Sequence, residues 1–411
     1  VKHYNNSTLL NTDTPVDFTK ELALVVMQPS TSYNTYEPYL NAGQQAFIQT
    51  VPTGFNELQT NNLPEPTIKN GKEYFEAIIW DGNDVDDRAI TTTEEFAPDL
   101  VWIKCRDSAI NHFIYDTVRG APNRLFPNLT NEEDAGAGHL KSFTSNGFTL
   151  GTSGNVNGTG NEYVAWCWKA GGTAVSNTDG TITSSVSANT DAGFSIFTYT
   201  GTGSAGTLGH GLTAAPEFVV VKRRDGTVDW QVYHVGAGEG KVLYLNLTNA
   251  ATPTTSIWNS TAPTSSVVHI GGAGDINTNT ATYVGYAWHS VPNYSAFGSY
   301  QGSSNSDGVF VYTGMRPAWL MVKCSSAGGA GTASDWIIYD STRNPSNPTK
   351  NWLMPNDSTG EGTDLQVDLL SNGFKCRDSS GQLNQSGRTY VYFCFAENPF
   401  GGENAPPATA R

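Results

Sequence analysis

One short segment is written three times in this chain, as Pro98-Asp99-Leu100-Val101-Trp102-Ile103-Lys104, Pro216-Glu217-Phe218-Val219-Val220-Val221-Lys222 and Pro317-Ala318-Trp319-Leu320-Met321-Val322-Lys323. Each copy opens on proline, which cannot donate to a ladder and so suits the first residue of a strand. Four bulky or β-branched residues follow, the pattern of a strand covered on both faces. Lysine ends each run.

The residues downstream of each copy repeat as well. A second strand comes next, His112-Phe113-Ile114-Tyr115-Asp116, Asp229-Trp230-Gln231-Val232-Tyr233-His234 and Asp335-Trp336-Ile337-Ile338-Tyr339-Asp340, the third delayed by the glycine-rich Ala327-Gly328-Gly329-Ala330-Gly331-Thr332. A Gly-Phe turn stands at Ser145-Asn146-Gly147-Phe148 and Ser371-Asn372-Gly373-Phe374 and is missing from the middle copy. Each copy closes on an aromatic strand, starting at Tyr163, Tyr283 and Tyr390. Such a period predicts three homologous units rather than one large fold. The expected architecture is all-β: tandem antiparallel, jelly-roll-like β-sandwich domains joined by Gly/Ser/Thr-rich linkers. The boundaries read as a leader over 1–70, repeats over 71–173, 192–302 and 306–402, and an extended tail over 403–411. The opening strand is expected at Tyr74 to Trp80, matched by Phe194 to Gly201 and Val309 to Gly314. The connectors 170–192 and 295–307 read as flexible links or wide loops. Tyr294, Phe297 and Tyr300, around the second, would pack one domain on the next or lie exposed.

Composition excludes several function classes. With 23 Lys and Arg against 38 Asp and Glu, a net charge of −15 argues against nucleic acid and anionic membrane surfaces. No apolar run reaches eighteen residues, so no membrane-inserted helix is expected. No signal-peptide pattern is present, and a chain starting on Val1 reads as trimmed or processed. Only 15% of residues are charged while Gly, Asn, Ser and Thr abound, a mixture that suits short strands and polar loops.

The search for chemistry yields structural readings. Five cysteines without CxxC spacing make a zinc site improbable, and neither metal nor cofactor is expected. Cys105 and Cys324 follow the repeated lysine, and Cys167 and Cys394 share a place in the closing strand. Their joint absence from the middle repeat suggests that the positions touch, as packed thiols or as a disulfide. The acidic run Asp81, Asp84, Asp86, Asp87 lacks the ligand series of a calcium hand and reads as a solvated turn. Glu132-Glu133-Asp134 is too local for a glycosidase pair. Asp116 with Arg119 and Asp340 with Arg343 read as loop-fixing ion pairs, and His112 and His234 as surface residues at strand ends. Trp102, Trp230, Trp319 and Trp336 fall at core positions. The Asn-x-Ser/Thr triplets at Asn128, Asn157, Asn246, Asn259, Asn293, Asn356 and Asn384 follow from composition. No hydrolase elbow, phosphate loop or His-Glu-x-x-His is present, so no catalytic residue is assigned. Trp258, Trp352 and Tyr300 are candidate sugar-stacking aromatics, with burial at a contact as the alternative.

The copies built as Pro-x-aromatic-Val-x-Ile-Lys, Trp-x-x-Tyr-Asp, Ser-Asn-Gly-Phe and Tyr-Val-Ala-Trp-x-Trp-Lys-Ala-Gly-Gly resemble a repeated domain of phage virion proteins, notably of marine phages. There it commonly follows a SPRY-type domain. Asn41 to Phe47, Pro52-Thr53-Gly54-Phe55 and Asn62 to Ile68 look like the final strands and exit of such a domain. The resemblance implies a structural, non-enzymatic virion appendage, a tail or capsid fibre touching the host surface. Implied partners are other virion proteins, a surface glycan or protein receptor, and further copies of the chain, as a trimer by analogy. The alternatives are a bacterial carbohydrate-binding or adhesion protein and a fibre-borne glycan hydrolase.

Overall fold

The structure, a computed structural model, describes residues 65–326 and 334–399, together with the backbone of two short strands near the start. Those strands, Lys2–Asn5 and Thr8–Thr12, form an antiparallel hairpin. The remaining leader, the glycine-rich insertion after Ser326 and the tail lie outside the described residues, and with them the SPRY-like reading.

Each repeat builds one inner sheet around the same four strands in the same order: an opening strand, the closing strand, the lysine strand and a fourth strand, which in repeat two pairs further with Lys241–Tyr244. In repeat one these are Phe75–Asp81, Glu162–Trp168, Leu100–Cys105 and Phe113–Asp116. In repeat two they are Phe194–Thr200, Thr282–Trp288, Phe218–Arg223 and Gln231–His234. In repeat three they are Ser295–Gln301, Thr389–Phe395, Trp319–Cys324 and Trp336–Asp340. All pairings are antiparallel. A smaller outer sheet covers one face in each: Arg88–Thr91, Gly147–Leu150 and Leu140–Thr144 in the first, Gly206–Gly209 with Val267–Ile270 in the second, and Phe310–Tyr312, Gly373–Cys376 and Val367–Leu370 in the third. Each repeat is thus a two-layer antiparallel sandwich, as the strand pattern predicts.

Strand periodicity explains why the sandwiches are not independent. On the closing strand of repeat one, Tyr163, Ala165 and Cys167 face the outer sheet and enter a local core. Val164, Trp166 and Trp168 face the other way, into a core shared by all three repeats. Phe218, Val220, Tyr286 and Trp288 join them from repeat two, and Trp319, Met321, Phe393 and Phe395 from repeat three. Both faces of the lysine and closing strands are buried in every inner sheet, which is why these strands show apolar runs without alternation. At the centre remains a void of about 20 Å³ lined by apolar side chains such as Trp102, Trp230 and Met321, which a water would find no partner in.

The reading of separate domains on flexible linkers is therefore corrected. The described residues 65–326 and 334–399 cluster as one compact body. Within the first supposed linker, Val175–Asn177 and Ser184–Asn189 are strands that extend the sheet of repeat two beyond its opening strand. Ser295–Gln301, in the second, is the opening strand of repeat three, so that repeat starts before residue 306. Val309 to Gly314, expected in that role, supplies an outer strand instead. The confusion has a clear source, since Val-Phe-Val-Tyr-Thr-Gly imitates the Ile-Phe-Thr-Tyr-Thr-Gly of repeat two. The true equivalents are marked by Gly82, Gly201 and Gly302. A Cβ on each would strike the backbone carbonyl five residues before the closing tyrosine's position, at Gly158, Thr278 and Gln385.

Candidate functional site

The polar residues that the repeats share converge where one repeat meets the next. At the joint between repeats one and two, Arg119 and Asp116 form an ion pair of 2.5 Å with both side chains fully buried. Tyr286 of repeat two donates to Asp116 Oδ2 at 2.7 Å. Glu133 bridges Arg119 at 2.9 Å and Arg224 of repeat two at 2.7 Å. Burial works to raise the Glu133 pKa, but hydrogen bonds from Arg224 and Arg119 overcome it and hold the carboxylate below its ordinary value.

The joint between repeats three and one repeats this arrangement. Arg343 and Asp340 pair at 2.5 Å, again fully buried, and Trp166 of repeat one donates its indole N–H to Asp340 at 3.0 Å. Glu361 bridges Arg343 at 3.1 Å and Arg106 of repeat one at 2.7 Å. The expectation of exposed, loop-fixing ion pairs is corrected: these pairs sit inside, where removing one partner is costly.

The joint between repeats two and three keeps the geometry without the charges. His234 takes the place of Asp116 and Asp340, and its Nε2 bonds the Tyr392 carbonyl at 3.0 Å. Phe393 stands where Tyr286 and Trp166 donate, so no acceptor is needed there. Ala237 replaces the arginine and Ala251 the bridging glutamate, while the backbone bond persists: Ala251 N to Ser325 O at 3.0 Å matches Glu133 N to Arg224 O at 2.7 Å and Glu361 N to Arg106 O at 2.6 Å. Each joint joins the front of one repeat to the back of the next, and the third returns to the first. Such head-to-tail contacts that close after three steps make a ring with approximate threefold symmetry inside one chain.

Trp230, Trp336 and two of the three repeated lysines belong to the same joints. Trp230 donates to the Phe126 carbonyl of repeat one at 2.9 Å, and Trp336 to the Tyr244 carbonyl of repeat two at 2.8 Å. His112 occupies the corresponding place in repeat one and accepts from Trp102 Nε1 at 2.9 Å. His112 and His234 are buried, against the surface expectation, because both serve as joint residues in the core. Burial drives His112 well below the ordinary histidine range and lowers His234 to about 4, so both are neutral near pH 7. Lys222 spans the Thr130 and Gly226 carbonyls at 3.0 and 3.3 Å, and Lys323 those of Thr248 and Ser334. Lys104 bonds carbonyls of its own repeat, Cys105 at 2.6 Å and Ser108 at 3.2 Å. Burial lowers all three lysines to about 8.

The proposed aromatic binders do not form one open platform. Trp258 is buried in the local core of repeat two beside Tyr233. Tyr300 is buried too, its hydroxyl donating to the Leu383 carbonyl at 2.7 Å and its ring stacked on Tyr390 at 5.1 Å. Trp352 is half-buried, lies against Gly362 and donates to Asp364 at 2.9 Å. Glu132-Glu133-Asp134 does not act as a unit, since Glu133 serves the joint and Asp134 pairs with Arg124 at 2.5 Å. Asp86 and Asp87 bind Lys141 at 2.9 and 2.7 Å. Among the described residues, no group of three or more His, Cys, Asp or Glu side chains is placed to hold a metal.

The reading of packed thiols holds, while the suggestion that the two cysteine positions touch is corrected by register. Cys105 lies opposite Tyr163 and Cys167 opposite Val101, four residues along the same strand pair. That offset is roughly 13 Å, beyond the reach of a disulfide. Cys324 and Cys394 are offset in the same way, and all five thiols are free and buried.

Sequence reasoning missed one set of buried residues. Asn157, Asn277 and Asn384 each stand six residues before the closing tyrosine and each tie three segments together. Asn277, for instance, donates to the Ser204 and Gly271 carbonyls at 2.6 and 3.1 Å and accepts from Thr202 N at 2.8 Å. The constant spacing to tyrosine was the available signal. It was masked because Asn157 and Asn384 also fall in Asn-x-Ser/Thr triplets.

Hollows on the described surface include two of a few hundred cubic ångströms each. One of about 330 Å³ is lined by hydroxyls, among them Ser176, Thr183, Thr198 and Thr200, beside Arg224. The other, about 260 Å³, is flanked by Arg124, whose guanidinium lies over Phe113 and Phe126 and whose donors go to Asp134 and His139. Neither brings a nucleophile and a base together.

Fold and site define an all-β protein in which three sandwich repeats close into a ring around one core. A family model described as a domain of unknown function (DUF7483) matches residues 70–399, and the chain belongs to that family. Comparison with curated proteins and with solved structures gives no significant match.

Proposed function

We propose that the chain is a non-enzymatic structural protein of a phage virion, a tail- or capsid-fibre appendage that contacts the host cell surface. The motif resemblance suggests the setting. The observation that carries the reading is the ring: its shared charged and aromatic residues are spent on holding three repeats together as one rigid body. Asp116, Arg119 and Glu133 form one buried cluster, bound across its joint by Tyr286 and Arg224 of repeat two, and Asp340, Arg343 and Glu361 form another, bound by Trp166 and Arg106 of repeat one. A rigid body of this kind transmits and displays, and weak contacts repeated over many copies give avidity. Further copies of the chain would associate through other surfaces, because the joints are closed within each one.

The test is mass spectrometry and antibody labelling of purified particles from a phage encoding this chain. Peptides at structural stoichiometry and label on an appendage are expected. Recovery from a bacterial envelope instead, with none on particles, would establish the adhesion reading in its place. Incubation with host polysaccharide should leave its chain length unchanged, and shortened products would overturn the non-enzymatic part.

A further inference from the structure

The three repeats act as internal controls for each other, and one position pair departs from the others. The outer strand Phe310–Tyr312 pairs on one side with Gly373–Cys376 and, among the described residues, has no strand on the other. Val311 points into the local core, while Phe310 and Tyr312 point outward, 44% and 66% exposed. The same register puts Ala89 and Thr91 at these places in repeat one, and Thr207 and Gly209 in repeat two. The fold therefore needs no aromatic here. Among the described residues these are the large aromatics left in solvent, where every tryptophan but the half-buried Trp352, and most tyrosines, are buried.

Small residues flank both rings: Gly373 lies opposite Tyr312, its Cα beside the Val311 carbonyl and the Phe310 ring, and Gly314 lies beside the Tyr312 hydroxyl. Alternate residues of a strand stand roughly 6.7 Å apart, so the two rings form a short row. Beside them runs a polar rim: Lys375 opposite Phe310, Asp368 opposite Lys375, with Asp307 bound to Lys375 at 2.7 Å and Arg377 at 2.8 Å. Two cations and two carboxylates leave the rim without net charge.

The geometry points to this face as a stacking platform for a neutral, hydroxyl-rich glycan chain. Area decides against a protein occupant. Aromatic side chains bury about 150–250 Å² each, so the exposed parts of these two offer on the order of 200 Å². A stable protein interface takes about 800 Å² from each partner. A sugar chain needs far less, since its apolar ring face covers an aromatic while its hydroxyls meet a rim with both donors and acceptors. The balanced rim, on a chain of net charge −15, disfavours acidic polymers. The inference rests on the surface-contact function proposed above and names the ligand class.

The test is affinity electrophoresis of the whole chain through gels containing dextran, mannan, laminarin or galactan, with saturation-transfer NMR on their oligosaccharides. At least one neutral polymer should retard the protein. Phe310→Ala with Tyr312→Thr, the pair found in repeat one, should weaken binding tenfold or more and leave the melting temperature unchanged. Binding to none of the four, or equal binding by the double variant, overturns the proposal. So does a two-chain species in light scattering that the double variant abolishes, which would make this face a self-association surface. Presence on particles is measured separately, so a failed platform and a failed virion assignment remain distinguishable.

Discussion

Replacing Arg343 by alanine tests whether the repeated Asp-Arg pairs are interior joints. In the folded protein the Arg343 guanidinium bonds Asp340 at 2.5 Å, Glu361 at 3.1 Å and the Ile338 carbonyl at 3.2 Å, with no solvent exposure of its side chain. Alanine leaves Asp340 buried with the Trp166 indole and its remaining backbone donor, and leaves the Ile338 carbonyl without this bond. Removing one member of a buried pair costs about 3–5 kcal/mol, against about 0–1 kcal/mol for an exposed pair. The expected loss is therefore about 3 kcal/mol or more, measured as the shift in urea unfolding followed by tryptophan fluorescence and far-UV circular dichroism together. Asp340→His combined with Arg343→Ala copies the combination that repeat two uses, His234 with Ala237, and leaves no charge unpaired. It should recover at least half of the loss. A cost below about 1 kcal/mol for Arg343→Ala would refute the reasoning, because that is the value of a pair still in water.

Other consequences come from the same packing. Burial lowers His234 to about 4, below the ordinary 6.5, so the unfolded chain binds more protons between these values and stability falls as pH drops from 6.5 towards 4. His234→Gln should reduce that fall by on the order of 3 kcal/mol, read from denaturation midpoints across the range; an unchanged pH profile contradicts the buried placement. Asn277→Ala removes the partner of three backbone groups and should cost roughly 3 kcal/mol by thermal or urea unfolding, whereas an exposed triplet asparagine would cost almost nothing. All five thiols should resist alkylation at pH 8 in the native protein, since burial also raises Cys105 and Cys376 to about 11, and all five should react after unfolding. Fewer than five would mean a disulfide.

The strands were legible because both faces of each inner sheet are covered, which forces apolar runs such as Phe218 to Val221 that stand out in a polar chain. The repeat itself was legible for the same reason. How the repeats associate was not, because a residue that faces a neighbouring repeat has the same chemistry as one that faces its own outer sheet. Trp166 and Cys167 are adjacent in sequence, yet one enters the shared core and the other a local one. Polar joint residues were harder still: Asp116 and Arg119 are a common surface spacing, and only the partners Tyr286 and Glu133, distant in sequence, show that they are interior. The exchange of Asp for His234 together with Tyr or Trp for Phe393 was a usable signal, since three repeats in one chain show which positions change together. For Trp258 and Tyr300 the fold takes the burial alternative, which the sequence left open because aromatics in glycine- and threonine-rich stretches look like loop residues, although here those stretches are strands or cover a local core.

Calorimetric unfolding of the intact chain tests the closed ring most directly. If the three repeats share one core, residues 65–400 melt in one transition whose van't Hoff enthalpy approaches the value for the whole body, ~230 kcal/mol at about 0.7 kcal/mol per residue. If the repeats were separate domains, the melt would resolve into steps or give a van't Hoff enthalpy near ~70 kcal/mol, that of a single repeat, and the ring account would fall.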